Sequence, residues 1–212
     1  MTDKSRTPEA DLAFMRSIVE GSGRPPMTLA ICYLAGGLLY GLQCLFHVGQ
    51  VIGLIRWPDL ANLIFVIGIS TAFMIVLVWA IRRDKADGVG GTRGPLATRI
   101  LNAAFSSAGM ANVAVIIIFG VGAMRDQDFA VWLYYPAVVF CLQGSAWLLV
   151  YTLKRKPWML ATAIGGWITA VALGLLVRQA DWYLGVCTAA LFLLFALPGW
   201  IMLRDARSAR RA

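Results

Sequence analysis

The stretch that decides the fold runs from Met27 to Ile55 and reads MTLAICYLAGGLLYGLQCLFHVGQVIGLI, without a single charged side chain. An α-helix rises 1.5 Å per residue, so about 20 apolar residues cross the roughly 30 Å hydrocarbon core of a bilayer. This segment exceeds that length and therefore predicts a membrane-spanning helix.

Five further stretches of the chain meet the same requirement. The six predicted spans are Met27–Ile55, Leu60–Ile81, Ile100–Met124, Phe129–Leu153, Trp158–Val177 and Trp182–Leu203. The 212-residue chain is 59% hydrophobic and only 14% charged, whereas soluble domains carry about 25% charged residues. The predicted fold class is therefore all-α: a polytopic membrane protein with a six-helix transmembrane bundle over residues 27–203.

The Lys and Arg residues sort by side of the predicted membrane. Of the nineteen, sixteen fall on one side, and only Arg56, Arg125 and Arg178 fall on the other. Because cytoplasmic loops carry an excess of Lys and Arg, the sequence predicts an N-in/C-in topology with both termini cytoplasmic. We expect a plasma membrane location, and the compact Ala-, Arg- and Gly-rich chain favours a bacterial inner membrane.

The predicted bundle is flanked by a cytoplasmic tail over residues 1–26 and a basic cytoplasmic tail over residues 204–212. The first begins with a short amphipathic helix, which Thr7 caps and Pro8 starts. We expect this helix to lie on the inner membrane surface, and binding of a partner is the alternative. No nucleic-acid partner is expected, because the basic residues do not form one face of a soluble fold.

A similarity between two segments of the chain suggests an internal repeat. Residues 40–47 contain Tyr40, Leu42, Gln43 and His47, and residues 140–147 contain Phe140, Leu142, Gln143 and Trp147 at the same spacing. The first run points outward and the second inward, as in a 3+3 inverted repeat. Because the rest of the two halves aligns poorly, a chance resemblance is the favoured explanation and the repeat is the alternative.

A polar stripe runs along the first predicted span. Projected at about 100° per residue, one side of this helix carries Cys32, Tyr33, Gly36, Tyr40, Gln43, His47 and Gln50. Unpaired amides and imidazoles are costly in hydrocarbon, so the stripe must face the bundle interior or a wet cavity. Gly37 and Gly41 lie on another side, in a small-xxx-small pattern that permits close contact with a neighbouring helix.

Depth in the membrane selects the partners of this stripe. Gln43, Asn112 and Gln143 lie within about 3 Å of the midpoints of their predicted spans, and Tyr40 is near the same level. His47 lies about 9 Å further toward the outside. The sequence thus predicts a ligand-binding site formed by Tyr40, Gln43, His47, Asn112 and Gln143.

A purely structural role is the competing interpretation of these side chains. Hydrogen bonds between neutral side chains hold membrane helices together, with contributions of about 0.6–2 kcal/mol each. That role is favoured for Asn102, Ser106 and Asn112, whereas for the stripe the two interpretations are nearly balanced. Four polar residues on one stripe (Tyr40, Gln43, His47, Gln50) exceed what joining two helices requires.

Several absences argue against an enzyme. No carboxylate lies within any predicted span, and the single histidine, His47, cannot supply paired haem ligands. Ser106 lies in the inner half of its span and His47 in the outer half, about 15 Å apart by the helical rise, so no nucleophile–base pair forms. We expect no catalytic residues, no metal site and no cofactor.

The predicted function is binding or translocation of a small neutral or weakly polar molecule through a midplane polar cavity. Amides and phenols suit hydroxyl, carbonyl or quinone-like groups better than ions. The alternative is a non-transporting membrane scaffold or regulatory subunit that acts through helix packing and its N-terminal amphipathic helix. The expected partners are the lipid bilayer, a small-molecule ligand, and a second copy of the chain or another membrane protein. A water-accessible cavity at Gln43 would favour the first function, and a dry, fully paired midplane would favour the second.

Overall fold

The computed structural model describes residues 27–86 and 96–211, and every regular element within them is helical. The helices are α1 (Met27–Val51), α2 (Asp59–Ala86), α3 (Leu96–Asp126), α4 (Phe129–Lys154), α5 (Pro157–Leu176), α6 (Ala180–Leu191) and α7 (Leu197–Arg211). A π-helical turn, Phe192–Ala196, joins α6 to α7, and Ala180–Ser208 is called the sixth span below. Six helices are long and apolar enough to cross a membrane, as predicted. The amphipathic helix predicted within residues 1–26 lies outside the described residues.

The first helix ends four residues before the predicted limit at Ile55. Gly53 has a φ of 77°, and the Gly49 carbonyl accepts hydrogen bonds from the backbone nitrogens of Leu54 at 2.8 Å and Ile55 at 3.1 Å. Glycine suits a left-handed residue after a helix, because it has no Cβ to clash there. The chain therefore turns inside the apolar run, where hydrophobicity alone gives no sign of an end.

The second helix continues five residues beyond the predicted limit at Ile81 and so contains Asp84, which is buried. The Asp84 carboxylate accepts hydrogen bonds from Thr28 N at 3.0 Å and from Thr28 Oγ1 at 2.5 Å. Backbone N–H groups in the first turn of a helix lack intrahelical partners, so Asp84 caps α1 from the neighbouring helix. Asp84 thus lies three residues beyond the predicted span, within the last turn of the longer helix.

The two ends of the bundle differ in charge, and we call them the basic end and the opposite end. The basic end carries the start of α1 and the ends of α2, α4 and α7, with Arg83, Lys154 and Arg207 among its cations. At this end the Lys156 ammonium is 3.1 Å from an Asp205 carboxylate oxygen, which ties the α4–α5 connection to α7. The opposite end carries Arg56, among others.

The closest helix contact joins α1 to the sixth span. A methyl group added to Gly37 would lie 2.2 Å from the Ala196 backbone nitrogen, and one added to Gly199 would lie 2.3 Å from the Leu34 nitrogen. The Phe192 ring lies against Gly41 in the same interface. The predicted close contact at Gly37 and Gly41 is thus confirmed, and its partner is the sixth span.

A second close contact joins α4 to α5. A Cβ on Gly144 would lie 2.9 Å from the Ala163 carbonyl oxygen, and one on Gly166 would lie 3.1 Å from the Gly144 Cα. Small residues allow helix backbones to approach in lipid, where burial of apolar surface drives no association between helices. We call α1, α4, α5 and the sixth span the core helices.

The remaining two spans, α2 and α3, lie at the periphery. Within the described residues α2 packs mainly on α1, α3 packs mainly on α4, and α2 and α3 make almost no contact with each other. Only 6% of the most apolar window of each helix is buried inside the protein. Their long, apolar, exposed faces are suited to contact with lipid.

The contact pattern agrees with the predicted 3+3 repeat only in part. Such a repeat would match α1 with α4, α2 with α5, and α3 with the sixth span. The α1–α2 packing has a counterpart in α4–α5, and the packing of α1 on the sixth span has one in α4–α3. However, α5 packs on the sixth span, whereas α2 barely touches α3. The inverted repeat therefore stays a prediction.

Candidate functional site

The five residues predicted to form one site lie in three groups. Gln143 belongs to a group nearer the basic end, and His47 belongs to one near the opposite end. Tyr40, Gln43 and Asn112 form the middle group. None of the described hydrogen bonds joins two of the five residues directly.

Gln143 is held within an aromatic cluster. Its side-chain oxygen accepts a hydrogen bond from the buried Tyr33 hydroxyl on α1. The Tyr33 ring stacks on Phe195 at 5.0 Å and meets Trp147 and Phe105 edge-on at 5.3 and 5.6 Å. We call Tyr33, Phe105, Trp147 and Phe195 the aromatic floor, because they join α1, α3, α4 and the π-helical turn across the interior. Since a buried phenol needs a hydrogen-bond partner, Gln143 completes this floor.

The depth predicted for Gln43 changes with the true end of α1. Because α1 ends at Val51, its midpoint is near residue 39 and Gln43 lies about 6 Å from it, toward the opposite end. Gln143 lies about 2 Å from the midpoint of α4, toward the basic end. Its partner Tyr33 is about 15 Å along α1 from Gln43. The structure therefore does not bring the two glutamines together.

His47 faces α2. Its Nδ1 is 2.8 Å from the Gln50 side-chain oxygen, and the Gln50 Nε2 donates to the Asn62 Oδ1 at 2.7 Å. With the amide in this orientation, Nδ1 carries the proton and Nε2 is left as an acceptor. This chain of hydrogen bonds joins α1 to the first turns of α2 near the opposite end.

The middle group brings two phenols toward each other across the interior. The Tyr40 ring packs on Phe73 of α2 at 5.5 Å, and its hydroxyl lies close to Ser70. From the other side, the Tyr135 hydroxyl lies close to the Asn112 amide and within electrostatic range of Tyr40. Two core helices, α1 and α4, and both peripheral helices, α2 and α3, thus contribute hydrogen-bonding groups to this region.

Two buried oxygen atoms in the middle group have no hydrogen-bond partner. They are Oε1 of Gln43 on α1 and Oδ1 of Asn112 on α3. A buried acceptor without a donor costs about 1–3 kcal/mol, and most buried polar atoms in proteins are paired. The buried Trp147 Nε1 also lacks a partner at hydrogen-bonding distance, but it lies beside the Tyr33 hydroxyl in the aromatic floor.

Several polar residues of the interior were not assigned a role from the sequence. Ser70 and Asn62 on α2 contact the stripe at Tyr40 and Gln50, and Tyr135 on α4 lies close to Asn112. Tyr33, which lies on the stripe, donates to Gln143. Asn62 could have been found by counting outward from the α1–α2 turn, because Gln50 and Asn62 face each other across that hairpin. No signal in the sequence pairs Asn112 with Tyr135, because helix rotation depends on packing.

The four cysteines are free thiols. Cys44 on α1 and Cys187 on α6 nevertheless have their sulfur atoms only 3.8 Å apart, next to the close contact between α1 and the sixth span. Among the described residues, no three His, Cys, Asp or Glu side chains converge as metal ligands would.

The middle group and its neighbour Tyr135 contain only uncharged donors and acceptors, contributed by α1, α3 and α4. Phenols can donate or accept, whereas the two unpaired amide oxygens can only accept. A complementary molecule therefore carries hydrogen-bond donors and no charge. No protein-family model matches the chain, and no curated protein or solved structure shows significant similarity to it.

Proposed function

We propose that this membrane protein binds or translocates a small neutral or weakly polar molecule at the middle group. The observation that carries the proposal is the pair of buried, unpaired oxygens on Gln43 and Asn112. They belong to different helices: Asn112 lies close to the Tyr135 hydroxyl, and Gln43 lies about one turn beyond Tyr40 on the same side of α1. A molecule with hydroxyl or N–H donors would satisfy both oxygens.

The unpaired oxygens favour this function over a scaffold. A scaffold needs its interior polar groups only to join helices, so its midplane should be fully paired, as Gln143 is with Tyr33. The small residues Gly37 and Gly41 are occupied by the sixth span and therefore offer no surface to another protein. Both observations weigh against the scaffold.

The packing of the peripheral helices supports entry from the bilayer. Because α2 and α3 barely touch, the space between them borders lipid rather than protein. The aromatic floor lies beneath the middle group toward the basic end, and the chain of hydrogen bonds from His47 lies toward the opposite end. These features suit a lipid-soluble molecule with hydroxyl groups, such as a quinol. All the groups concerned are uncharged and none forms a nucleophile–base pair, so the proposal includes no catalysis.

Tetramethylhydroquinone and its dimethyl ether form a matched pair of probes, because only the first has hydroxyl donors. In thermal melts of the purified protein, we expect the hydroquinone to raise Tm with concentration and the ether to have little effect. Gln43→Leu and Asn112→Leu should abolish the shift without lowering Tm in the absence of the probe. Ser107→Ala, on the same helix as Asn112, should respond like the wild type.

Two outcomes would refute the proposal. Equal stabilisation by the ether would mean that the donors are irrelevant. A loss of about 1–2 kcal/mol in Gln43→Leu or Asn112→Leu without probe would mean that these amides join helices, as in a scaffold.

The location and topology belong to the same proposal. The distribution of Lys and Arg supports a bacterial inner membrane with both termini cytoplasmic. In a variant without native cysteines, a cysteine introduced at Gln127 should react with an impermeant maleimide in intact cells, and one at Ser208 should not. Labelling at Ser208 but not at Gln127 would mean that the true orientation is the reverse of the proposed one.

The alternative, a scaffold or regulatory subunit, keeps one observation in its favour. The faces of α2 and α3 are largely exposed and could pack against a second copy or another membrane protein. Native mass spectrometry of the purified protein would show whether it is a stable homo-oligomer, and a dimer whose interface protects α2 or α3 from exchange would favour this function.

A further inference from the structure

A cavity of about 210 Å³ opens at the basic end, away from the middle group. Its walls are the first turns of α1, the last turns of α2, and α7. Each helix contributes two residues four positions apart, and the lining residues are Met27, Ile31, Trp79, Arg83, Leu203 and Arg207. Residues at this spacing lie one above the other on a helix face, so the cavity has two layers.

The two layers differ in chemistry. The directions of the helices place Arg83 and Arg207 in the layer at the end of the bundle, next to Met27. The deeper layer, about 6 Å toward the membrane centre, is formed by the apolar side chains of Ile31 and Leu203 with the Trp79 ring. Two cations above an apolar wall match the order of a phospholipid, in which the phosphate lies above the acyl chains.

The cations of the upper layer remain available to an anion. The Arg83 guanidinium lies 5.5 Å from the centre of the Trp79 ring, which fixes its position without neutralising its charge. Within the described residues, the two nearby carboxylates have other partners: Asp84 binds Thr28, and Asp205 lies 3.1 Å from the Lys156 ammonium. These carboxylates keep their charges, but among the described residues they are outnumbered by the cations at the ends of α2 and α7, which are Arg82, Arg83, Lys85, Arg204 and Arg207. The net charge at the cavity mouth is therefore positive.

We propose that this cavity binds an anionic phospholipid, with its phosphate between Arg83 and Arg207 and the start of an acyl chain against Ile31, Trp79 and Leu203. Guanidinium groups form paired hydrogen bonds with phosphate oxygens, and basic pockets between membrane helices are known sites for acidic headgroups. The site is independent of the middle group. It requires only that the helices lie in a bilayer.

The test measures lipid retention by the purified full-length protein with native mass spectrometry and thermal melts. Phosphatidylglycerol should remain bound and raise Tm, and phosphatidylcholine should do neither at equal concentration. Inorganic phosphate and glycerol 3-phosphate separate a soluble source from a lipid. If either binds as tightly as phosphatidylglycerol, the acyl wall has no role and the proposal is wrong.

The matched variants carry the same change of charge at the two ends of the bundle. Arg83→Gln/Arg207→Gln should weaken phosphatidylglycerol binding at least tenfold, whereas Arg125→Gln/Arg178→Gln should leave it unchanged. If the first pair fails to fold, Arg83→Lys/Arg207→Lys keeps the charge and should weaken binding severalfold, because a lysine cannot make the paired contact. Equal retention by all of these variants would overturn the proposal.

Discussion

The core helices and the peripheral helices of this bundle are held in different ways. Of the apolar window of each core helix, 28% to 44% is buried inside the protein, compared with 6% for α2 and for α3. The core is joined by backbone contacts at glycines such as Gly37, Gly144 and Gly199. The periphery is joined by side chains: Asp84 and Asn62 tie the two ends of α2 to α1, and Phe73 packs on Tyr40 between them.

This difference separates stability from binding. Lipid can solvate an apolar helix face, so α2 and α3 need little protein contact to stay in the membrane. The unpaired oxygens of Gln43 and Asn112 lie where a core helix meets the peripheral ones, and the hydrogen bond between Tyr33 and Gln143 lies within the floor. We therefore expect substitutions in the core to affect folding, and substitutions at its border with α2 and α3 to affect binding.

The largest effect is expected at Gly37. In Gly37→Ala the added methyl group would lie 2.2 Å from a backbone nitrogen of the sixth span, which no side-chain movement can relieve. Ordinary overpacking costs about 1–3 kcal/mol, and we expect a loss of unfolding free energy beyond that range. Unfolding of the purified protein in SDS titrations measures it.

Gly109→Ala on the peripheral helix α3 is the matched control, because nothing lies within 4 Å of the added methyl group. We expect no loss there, and a gain of up to about 1 kcal/mol from the higher helix propensity of alanine. Equal losses in the two variants would erase the distinction between core and periphery.

An intermediate effect is expected at Asp84, which attaches α2 to the start of α1. Asp84→Ala leaves the Thr28 N–H without a partner, and loss of a capping side chain costs about 0.5–2 kcal/mol. Hydrogen exchange should increase in the first turn of α1 but not in the contact at Gly199. Thr28→Ser keeps both hydrogen bonds and should behave like the wild type; a matching loss in that variant would count against the cap.

The smallest effect concerns the hydrogen bond beneath the middle group. Tyr33→Phe and Gln143→Leu each remove one partner, and the double variant should recover part of the summed loss. Hydrogen bonds between membrane helices average about 0.6 kcal/mol by this method, and we expect a coupling energy of that order. Combining Gln43→Leu with Tyr33→Phe should instead give additive effects, and coupling between those two would place Gln43 in the floor.

The sequence predicted the fold better than the site, for physical reasons. Lipid imposes one requirement on every span, about 20 apolar residues, and all six spans satisfy it visibly. The end of α1 was predicted four residues too late, because Gly53 turns the chain within an apolar run. Hydropathy ended the second predicted span at Ile81, before a run of charged residues. The helix continues through Asp84, because Thr28 binds the buried carboxylate.

The site depends on helix rotation and side-chain reach, which depth does not give. The depths predicted for Gln43 and Gln143 placed them together. The structure instead pairs Gln143 with Tyr33, whose side chain is long enough to reach it from a different depth. The helical projection of α1 did place Tyr40 and Gln43 on one side, because that periodicity belongs to the helix itself. The rotation of α3, and with it the neighbours of Asn112, is set only by packing on α4.

The π-helical turn Phe192–Ala196 fixes the angular register of the sixth span. Here the Leu197 N–H bonds the Phe192 carbonyl five residues back, and the wider turn precedes Pro198, which lacks an N–H to bond the carbonyl four residues back. Such a turn holds one residue more than an α-helical turn of the same height. Deleting Leu193 would therefore close this turn into a regular α-helical one and keep Gly199 against Leu34, whereas deleting a residue within α6 would rotate the two parts of the span against each other by about 100°. The π-helical turn is thus the point of the sixth span at which the loss of one residue disturbs the contact with α1 least.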